Sequence, residues 1–241
     1  MSILPQLRPV EVADGVFQLS SLGARVTALV HEGDVLLLDT GARGSYPLVA
    51  RSLARLGLRP DRVRGVVLTH AHPDHAGALS SVVAHTDAVV YLHGADAGAL
   101  ASRQVGARLG ARLSQQVTKV VGRFLFDGTG KPATLVEHGA HLDWPDDVVV
   151  IHTPGHTPGS VSLYLPALRL IVVGDALQYR FRRLAGPARW VTGDYPQAIA
   201  SMHRIAELDF ETMVFSHFPP LRGTARTDLK RLLERRSPAD V

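Results

Sequence analysis

Three histidines and an aspartate lie within six positions of the segment THAHPDHAG (69–77). They are His70, His72, Asp74 and His75, and the three histidines are a quarter of the 12 in the chain. Burying such a cluster costs free energy unless a cation compensates it. Because the chain has no cysteine, any metal site must use histidine, aspartate, glutamate, water or backbone oxygens. The segment therefore predicts a metal site with nitrogen and oxygen ligands.

The spacing inside this segment predicts ligands that point in two directions. His70 and His72 are two residues apart, so in an extended segment their side chains lie on the same side. Pro73 fixes its own φ and can begin a helix over residues 74–85, whose first turn carries Asp74 and His75. One short loop can therefore supply two adjacent metal ions.

Similar side chains stand beside apolar strands elsewhere in the chain. We expect residues 66–69 to run as a strand into His70, residues 171–174 into Asp175 and residues 213–216 into His217. His156 lies on the Pro-Gly turn of HTPGHTPG, directly before another strand. Rigid scaffolds commonly present functional groups from loops at strand ends, so these side chains are expected to meet at one rim.

Short runs rich in valine, leucine and isoleucine recur along the chain, separated by glycine, proline and aspartate. Residues 25–41 indicate two strands joined by a Glu-Gly-Asp turn, and residues 45–58 have apolar side chains at helical spacing. After residue 148 three strands follow at short spacing, more than a simple βαβ series contains. We therefore predict an α/β fold, a four-layer αββα sandwich of two mixed β-sheets flanked by helices.

The chain length suits one large core, since 46% of the 241 residues are hydrophobic. We expect a single domain over residues 1–241. Residues 94–134 interrupt the alternation of strands and helices, and their leucines and valines recur at helical spacing. The pattern predicts a helical insertion or lid at about 94–134.

Charge and hydropathy bound the setting of the protein. The first residues, MSILPQLRPVEVADG, have no basic segment followed by an apolar run, and no stretch approaches the roughly 20 apolar residues that cross a bilayer. We expect a cytoplasmic protein with no membrane partner. The net charge is +4 and the sequence pI is about 9.7, a balance that can attract nucleic acid or acidic substrates. No nucleic-acid motif with interleaved aromatic residues is present, so we expect no nucleic-acid partner.

The order of these motifs resembles that of the metallo-β-lactamase-fold hydrolases, in particular the branch of glyoxalase II and the lactonases. The resemblance runs from about residue 14 to 222 and has five parts in the family's order. These parts are LLLDTG (36–41), His70-x-His72-x-Asp74-His75, HTPGHTPGSVSLY (152–164), VVGDAL (172–177) and His217.

The resemblance implies a complete dinuclear metal site. One metal ion is then held by His70, His72 and His156, the other by Asp74, His75 and His217, and Asp175 bridges the two. Asp39 is expected to orient the ligating imidazoles without binding metal itself. The ligand set suits two divalent ions, with zinc as the first expectation and iron or manganese as alternatives.

A dinuclear site of this kind would attack its substrate with metal-bound hydroxide. Asp74 is the expected catalytic residue, because it would orient the hydroxide and carry a proton toward the leaving group. The last histidine stands in Ser216-His217-Phe218, where the family usually has a Gly-His-Gly-like turn, and this departure leaves the substrate open.

Three residues beyond the metal ligands are candidates for substrate binding. Some lactone-cleaving relatives carry a tyrosine near the position of Tyr179 that contacts the substrate carbonyl. Arg180 and Arg183 belong to an arginine cluster that could bind a carboxylate or phosphate. We therefore expect a small-molecule substrate. Both an anionic and an uncharged substrate stay open, as does a homodimer.

The sequence thus predicts a metal-dependent hydrolase that cleaves an ester-like bond, either a thioester or a lactone. A phosphodiesterase or nuclease is the first alternative, favoured by the basic pI. An iron-dependent oxidoreductase with the same ligands is the second, and a binding protein without activity is the third. A β-lactamase is not favoured, because those enzymes normally act outside the cytoplasm.

Overall fold

The computed structural model describes residues 8–105, 133–145 and 147–235. The strands are β1 (Val10–Ala13), β2 (Val16–Leu19), β3 (Val26–His31), β4 (Asp34–Leu38), β5 (Val63–Val67), β6 (Val89–His93), β7 (Thr134–Val136), β8 (Val149–His152), β9 (Val161–Leu165), β10 (Leu170–Val172), β11 (Gln178–Arg180), β12 (Arg183–Ala185) and β13 (Thr212–Val214). The helices are α1 (Tyr46–Arg55), α2 (Pro73–Ala76), α3 (Leu79–Ala84), α4 (Gly94–Val105), α5 (Tyr195–Glu207) and α6 (Ala225–Glu234).

The strands form two large mixed sheets and one separate hairpin. The first sheet has the order β1-β2-β3-β4-β5-β6-β7, antiparallel from β1 to β4 and parallel from β4 to β7. The second has the order β13-β10-β9-β8, in which β10 and β13 are parallel and the other neighbours antiparallel. Strands β11 and β12 pair with each other.

Three apolar layers separate these sheets and helices, and the alternation of side chains along each strand builds them. In β4, Leu37 faces a cluster with α1 and α3, whereas Leu36 and Leu38 face the second sheet. In the second sheet, Val172 faces the first sheet, whereas Ile171 packs against α5 and α6. The order of layers is therefore helix, sheet, sheet, helix, and the predicted αββα sandwich is confirmed.

The helix predicted over residues 74–85 begins at Pro73 as expected, but the segment is divided into two short helices, α2 and α3. A Cβ added at Gly77 would lie 2.2 Å from the Pro73 carbonyl oxygen and 2.6 Å from the Arg43 backbone nitrogen. The chain at residues 41–43 packs directly on this glycine, and the Ala78 N–H donates to the Gly41 carbonyl. This contact with a neighbouring segment interrupts the helix.

The insertion or lid predicted at about 94–134 stays a prediction. Gly94–Val105 is helical and Thr134 begins β7, but residues 106–132 lie outside the described part of the chain. Among the described helices, none combines the length and apolar character needed to cross a bilayer.

Candidate metal centre

Three of the predicted ligands follow strands at the same interval. His70, Asp175 and His217 each lie three residues after the last residue of a strand, namely β5, β10 and β13. The sequence predicts strands that run directly into these residues, but each strand ends earlier and a short loop follows. Because β5 belongs to one sheet and β10 and β13 to the other, the loops from both sheets meet at one edge of the sandwich.

The loop after β5 has the form predicted from Pro73. His72 is extended, with φ −72° and ψ 151°, and α2 begins at Pro73. Asp74 and His75 then lie in the single turn of α2. The helix start at Pro73 is thus confirmed, but the two pairs of side chains are not fully separated, because the rings of His70 and His75 have centroids only 3.9 Å apart.

The first cluster consists of His70, His72 and His156. Nδ1 of His72 lies 3.0 Å from Nε2 of His70 and 2.9 Å from Nε2 of His156. Burial, together with the neighbouring His75, holds the pKa of His70 well below its usual value. Burial also lowers the pKa of His156 to about 4. At neutral pH both imidazoles are therefore neutral, the form that binds metal ions.

The second cluster consists of Asp74, His75 and His217, whose ligand atoms lie within 4.8 Å of one another. Nε2 of His217 is 3.3 Å from Oδ2 of Asp74. Contacts with the carboxylates of Asp175 and Asp74 raise the pKa of His217 to about 9. Burial acts to lower the pKa of His75, but the carboxylates of Asp39 and Asp175 outweigh it and raise that pKa to about 10.

Asp175 lies between the two clusters. Its Oδ2 is 3.6 Å from Nε2 of His156 in the first cluster and 3.4 Å from Nε2 of His217 in the second. Burial acts to raise the pKa of Asp175, yet its contacts with His217 and His75 prevail and lower it. The carboxylate is thus ionised and reaches both groups of imidazoles.

The residues present fit a pair of divalent cations. Nε2 of His75 is buried and has no hydrogen-bond partner among the described residues. It lies 3.6 Å from the carboxylates of both Asp74 and Asp175, beyond hydrogen-bond distance. A buried nitrogen left in this state is destabilising unless another group satisfies it. The surrounding carboxylates and imidazoles are the donors that zinc, iron and manganese accept.

Asp39 holds His75 from behind. It follows β4 directly, is 1% exposed and has φ +64°, a left-handed conformation that aspartate tolerates better than most residues. Its Oδ2 lies 2.7 Å from Nδ1 of His75, and its Oδ1 accepts from the Thr69 N–H at 2.8 Å. The carboxylate therefore fixes Nδ1 of His75 as a donor and directs Nε2 toward the second cluster.

Asp96 is a residue that sequence analysis missed. It lies in the first turn of α4 and is 2% exposed. Its Oδ2 accepts from the backbone N–H of Ala71 and from Oγ1 of Thr157, both at 2.8 Å, and its Oδ1 accepts from the Gly159 N–H at 2.7 Å. Ala71 separates His70 from His72, and Thr157 follows His156. One carboxylate thus ties together the two loops that supply the first cluster.

An open cleft of about 490 Å³ leads to both clusters. Five ligand-type residues line its floor, namely His72, Asp74, His156, Asp175 and His217. Its walls consist of Gln178, Arg180, Ala188, Trp190, Val191 and Phe218. Phe218 is the bulky residue that follows the last histidine in Ser216-His217-Phe218, and it lines this side of the cleft.

The three predicted substrate residues lie in the β11–β12 hairpin but on different faces. Side chains alternate along a strand, so Gln178 and Arg180 face the cleft whereas Tyr179 faces the other way. The Tyr179 ring stacks on Phe215, with ring centroids 5.9 Å apart. Arg183 pairs with Arg180 across the hairpin. The geometry places Arg180 in the wall of the cleft with Arg183 beside it on the neighbouring strand, and it packs Tyr179 against the core. Substrate contact by these three residues stays a prediction.

The chain is similar in sequence to proteins named as hydrolases and in fold to a solved structure that contains two iron ions. A probable metallo-hydrolase of Bacillus subtilis, YflN, is 28% identical over 218 residues, which cover 84% of this chain and 82% of that protein. A hydroxyacylglutathione hydrolase of Fuscovulum blasticum is 30% identical over 195 residues, 79% of this chain and 64% of that one. The solved structure of TTHA1623 in a di-iron-bound form superposes with a TM-score of 0.63 at 26% identity and covers 92% of this chain and 98% of that one.

The family model of the metallo-β-lactamase superfamily matches residues 22–217. The match begins shortly before β3 and ends at His217, so it contains both clusters and most of the two sheets. The chain therefore belongs to the metallo-β-lactamase superfamily.

Proposed function

We propose that this protein is a dinuclear metal-dependent hydrolase that cleaves an ester-like bond, a thioester or a lactone. The observation that carries the proposal is the position of Asp175, which lies 3.4–3.6 Å from imidazoles of both clusters. A site for a single ion would need no shared carboxylate between two complete sets of ligands. The first cluster and the second cluster would each hold one ion, and Asp175 would contact both.

Zinc is the metal we propose first, since the donors are nitrogen and oxygen and need no redox chemistry for hydrolysis. Iron and manganese accept the same donors, and one similar structure contains two iron ions. When bound, such ions supply Lewis acidity and lower the pKa of a bound water from 15.7 to about 7.

Asp74 is the proposed proton carrier. Its hydrogen bond with His217 lowers its pKa although burial acts to raise it, so the carboxylate is ionised at neutral pH. The side chain is 39% exposed and lines the cleft, so it can contact a bound substrate as well as the second cluster. It accepts a hydrogen bond from the attacking water, takes up the proton on a carboxylate oxygen and returns it to the departing sulfur or oxygen.

The reaction so assigned balances without any further reagent. The water oxygen bonds to the carbonyl carbon of the substrate, and the bond from that carbon to sulfur or oxygen breaks. The carboxylic acid formed keeps the water oxygen, and the proton carried by Asp74 goes to the sulfur or oxygen. A thioester thus gives an acid and a free thiol, whereas a lactone opens to a single hydroxy acid. Similarity to a hydroxyacylglutathione hydrolase supports the thioester form of the proposal.

A hydrolysis panel on the zinc-loaded and manganese-loaded protein tests this proposal. The substrates are an acyl lactone, an acylglutathione thioester and bis-p-nitrophenyl phosphate. We expect carbonyl hydrolysis to dominate and to fall at least about 100-fold in Asp74→Asn, the usual range for loss of a proton-transfer group. The matched control is Asp34→Asn. Asp34 is 35% exposed and begins β4, whereas Asp39 and the metal centre follow the other end of that strand.

Two results would refute the proposal. One is dominant cleavage of the phosphodiester, which favours the nuclease-type alternative. The other is equal activity of Asp74→Asn and Asp34→Asn on the carbonyl substrates, which would exclude Asp74 from the reaction.

A further inference from the structure

The segment that supplies one wall of the cleft is rich in positive charge, and Arg180 is the arginine of this segment that lines the cleft itself. Residues 178–193, which we term the arginine rim, contain four arginines and no aspartate or glutamate. The formal net charge of the whole chain is only +4. A one-signed cluster at the mouth of a cleft raises the local concentration of ligands of opposite charge. The arginine rim therefore favours an anionic group on the substrate.

Two of these arginines repel each other unless an anion lies between them. Arg180 and Arg183 are direct cross-strand partners in the β11–β12 hairpin, so their side chains leave the same face. Like charges in such a position are destabilising. In the described part of the chain neither guanidinium pairs with a carboxylate, and Arg180 contacts the Gln178 side chain at 3.4 Å. A phosphate or carboxylate bound by both groups would remove the repulsion.

The arginine rim also presents aromatic side chains to solvent. Trp190 lines the cleft and yet is 86% exposed. Its turn is well fixed, since Gly193 N–H donates to the His156 carbonyl at 3.3 Å and Asp194 N–H donates to the Gly155 carbonyl at 2.9 Å. The backbone that follows Trp190 is therefore tied to the loop that carries His156, and the exposed indole at the mouth of the cleft is available as a surface for stacking.

The tip of the hairpin carries a second exposed aromatic residue. Phe181 is 93% exposed and has φ +49°, and Arg182 after it has φ +60°. Turns with two left-handed residues usually contain asparagine and glycine, because other side chains are strained there. An exposed phenylalanine at such a position costs stability without improving packing, which is typical of a residue retained for binding.

We propose that the arginine rim binds a nucleoside phosphate on the leaving group, so that the substrate is a thioester of a nucleotide-bearing thiol. The inference rests on the proposed hydrolase function. Trp190 stacks on the base, Arg180 and Arg183 contact the phosphate, and the thioester carbonyl lies at the metal centre. Water adds to the carbonyl carbon, the carbon–sulfur bond breaks, and the nucleotide-bearing thiol leaves with the proton. Glutathione offers carboxylates to the arginines but no ring to Trp190.

Binding to the metal-loaded protein tests the arginine rim without turnover. The probes are ADP, adenosine and pyrophosphate, titrated by calorimetry. Trp190→Ala should weaken ADP and adenosine about 10-fold, which equals about 1.4 kcal/mol, and leave pyrophosphate unchanged. Arg180→Ala and Arg183→Ala should weaken ADP and pyrophosphate but not adenosine. The matched control is Arg51→Ala, which removes one positive charge from an exposed position on α1. It should leave the affinity for all three probes unchanged.

Turnover then identifies the leaving group. One acyl group is offered on coenzyme A, on glutathione and on N-acetylcysteamine, which lacks the nucleotide. We expect the lowest KM for the coenzyme A thioester. Trp190→Ala should raise that KM about 10-fold, and it should raise the KM of the N-acetylcysteamine thioester, which has no base to stack, much less.

The outcomes separate this inference from the proposed function. Binding of ADP with the expected variant pattern, but no hydrolysis of any thioester or lactone, keeps the nucleotide site at the arginine rim and refutes the hydrolase assignment together with the thioester substrate. Two outcomes would overturn the inference about the arginine rim and keep the hydrolase assignment. One is thioester hydrolysis with equal kcat/KM for the three thiols. The other is ADP binding that is unchanged in the Trp190, Arg180 and Arg183 variants. Tighter binding of a single-stranded oligonucleotide than of ADP would also overturn it, since the rim would then be a nucleic-acid site.

Discussion

Nδ1 of His75 donates a hydrogen bond to the Asp39 carboxylate at 2.7 Å, so Nε2 of the same ring faces the second cluster. Asp39 also accepts from the Thr69 N–H and side-chain hydroxyl, so its orientation is itself fixed. The pair determines the tautomer and the direction of one proposed ligand. Groups that orient a ligating imidazole in this way are usually needed for full metal affinity.

Asp39→Asn should weaken binding of the second metal ion by about 10-fold to 100-fold. Asparagine tolerates the left-handed backbone at this position, so the change affects the hydrogen bonds more than the fold. The measurement is competition calorimetry against a chelator of known affinity. Asp34→Asn serves as the control at the other end of β4, and equal affinities in the two variants would contradict the role of Asp39.

The two clusters should also differ in proton release. His75 and His217 have raised pKa values, about 10 and about 9, so in the metal-free protein both are protonated at pH 7. His70 and His156 have lowered pKa values and carry no proton to displace. Binding at the second cluster therefore releases up to two protons at pH 7, and its apparent affinity rises with pH until about pH 9–10. Calorimetry in two buffers of different ionisation enthalpy counts the protons, and an equal count for both ions would refute this assignment.

Asp96 should be needed for the stability of the first cluster. Asp96→Asn replaces one carboxylate oxygen by an NH2 group, which faces hydrogen-bond donors and cannot accept from them. The loss of these buried hydrogen bonds should lower the free energy of unfolding by at least about 2 kcal/mol. Thr157→Val removes one of the three hydrogen bonds and should cost less. Denaturant unfolding measures both, and metal content should fall in the same order. A stable Asp96→Asn protein with full metal content would show that the carboxylate does not hold the two loops.

Gly77 should tolerate no side chain, although its backbone is ordinary. Its φ is −67°, so strain does not arise from the dihedral, but a Cβ would lie 2.2 Å from a backbone oxygen and 2.6 Å from a backbone nitrogen. Gly77→Ala should cost about 1–3 kcal/mol by overpacking. Gly94→Ala is the matched control, because the nearest atom to its Cβ is 3.7 Å away. Similar unfolding midpoints for the two variants would contradict the packing argument.

The ligand-type residues could be predicted because much of their information is local. His70 to His75 lie in one loop whose geometry Pro73 determines, and the remaining three follow short apolar strands or a Pro-Gly turn. The predicted strand ends lie too late in the sequence, and after β5 the reason is that the backbone groups bond outside their own sheet. Thr69 N–H donates to the Asp39 carboxylate, and the Thr69 carbonyl accepts from Val161 N–H of β9 in the second sheet.

Asp96 could not be predicted, because its role depends on contacts distant in sequence. Its partners Ala71, Thr157 and Gly159 are 25, 61 and 63 residues away. An acid at a helix start is ordinary in a sequence, so only the fold distinguishes this one. Gly159 is the sequence feature related to this contact. A Cβ at this position would lie 2.6 Å from Asp96, so only glycine leaves space for the carboxylate.

Asp175→Asn should differ from Asp39→Asn in affecting both metal ions. The asparagine amide has one oxygen and no charge. It can therefore not replace a carboxylate that lies 3.4–3.6 Å from imidazoles of both clusters and would contact both metal ions. Asp39, in contrast, has a hydrogen bond to one proposed ligand in the described part of the chain, namely His75. We therefore expect metal analysis to show weakened binding of both ions in Asp175→Asn and of one in Asp39→Asn. If Asp175→Asn lost a single ion and held the other at full affinity, the carboxylate would belong to one cluster and the dinuclear assignment would fail.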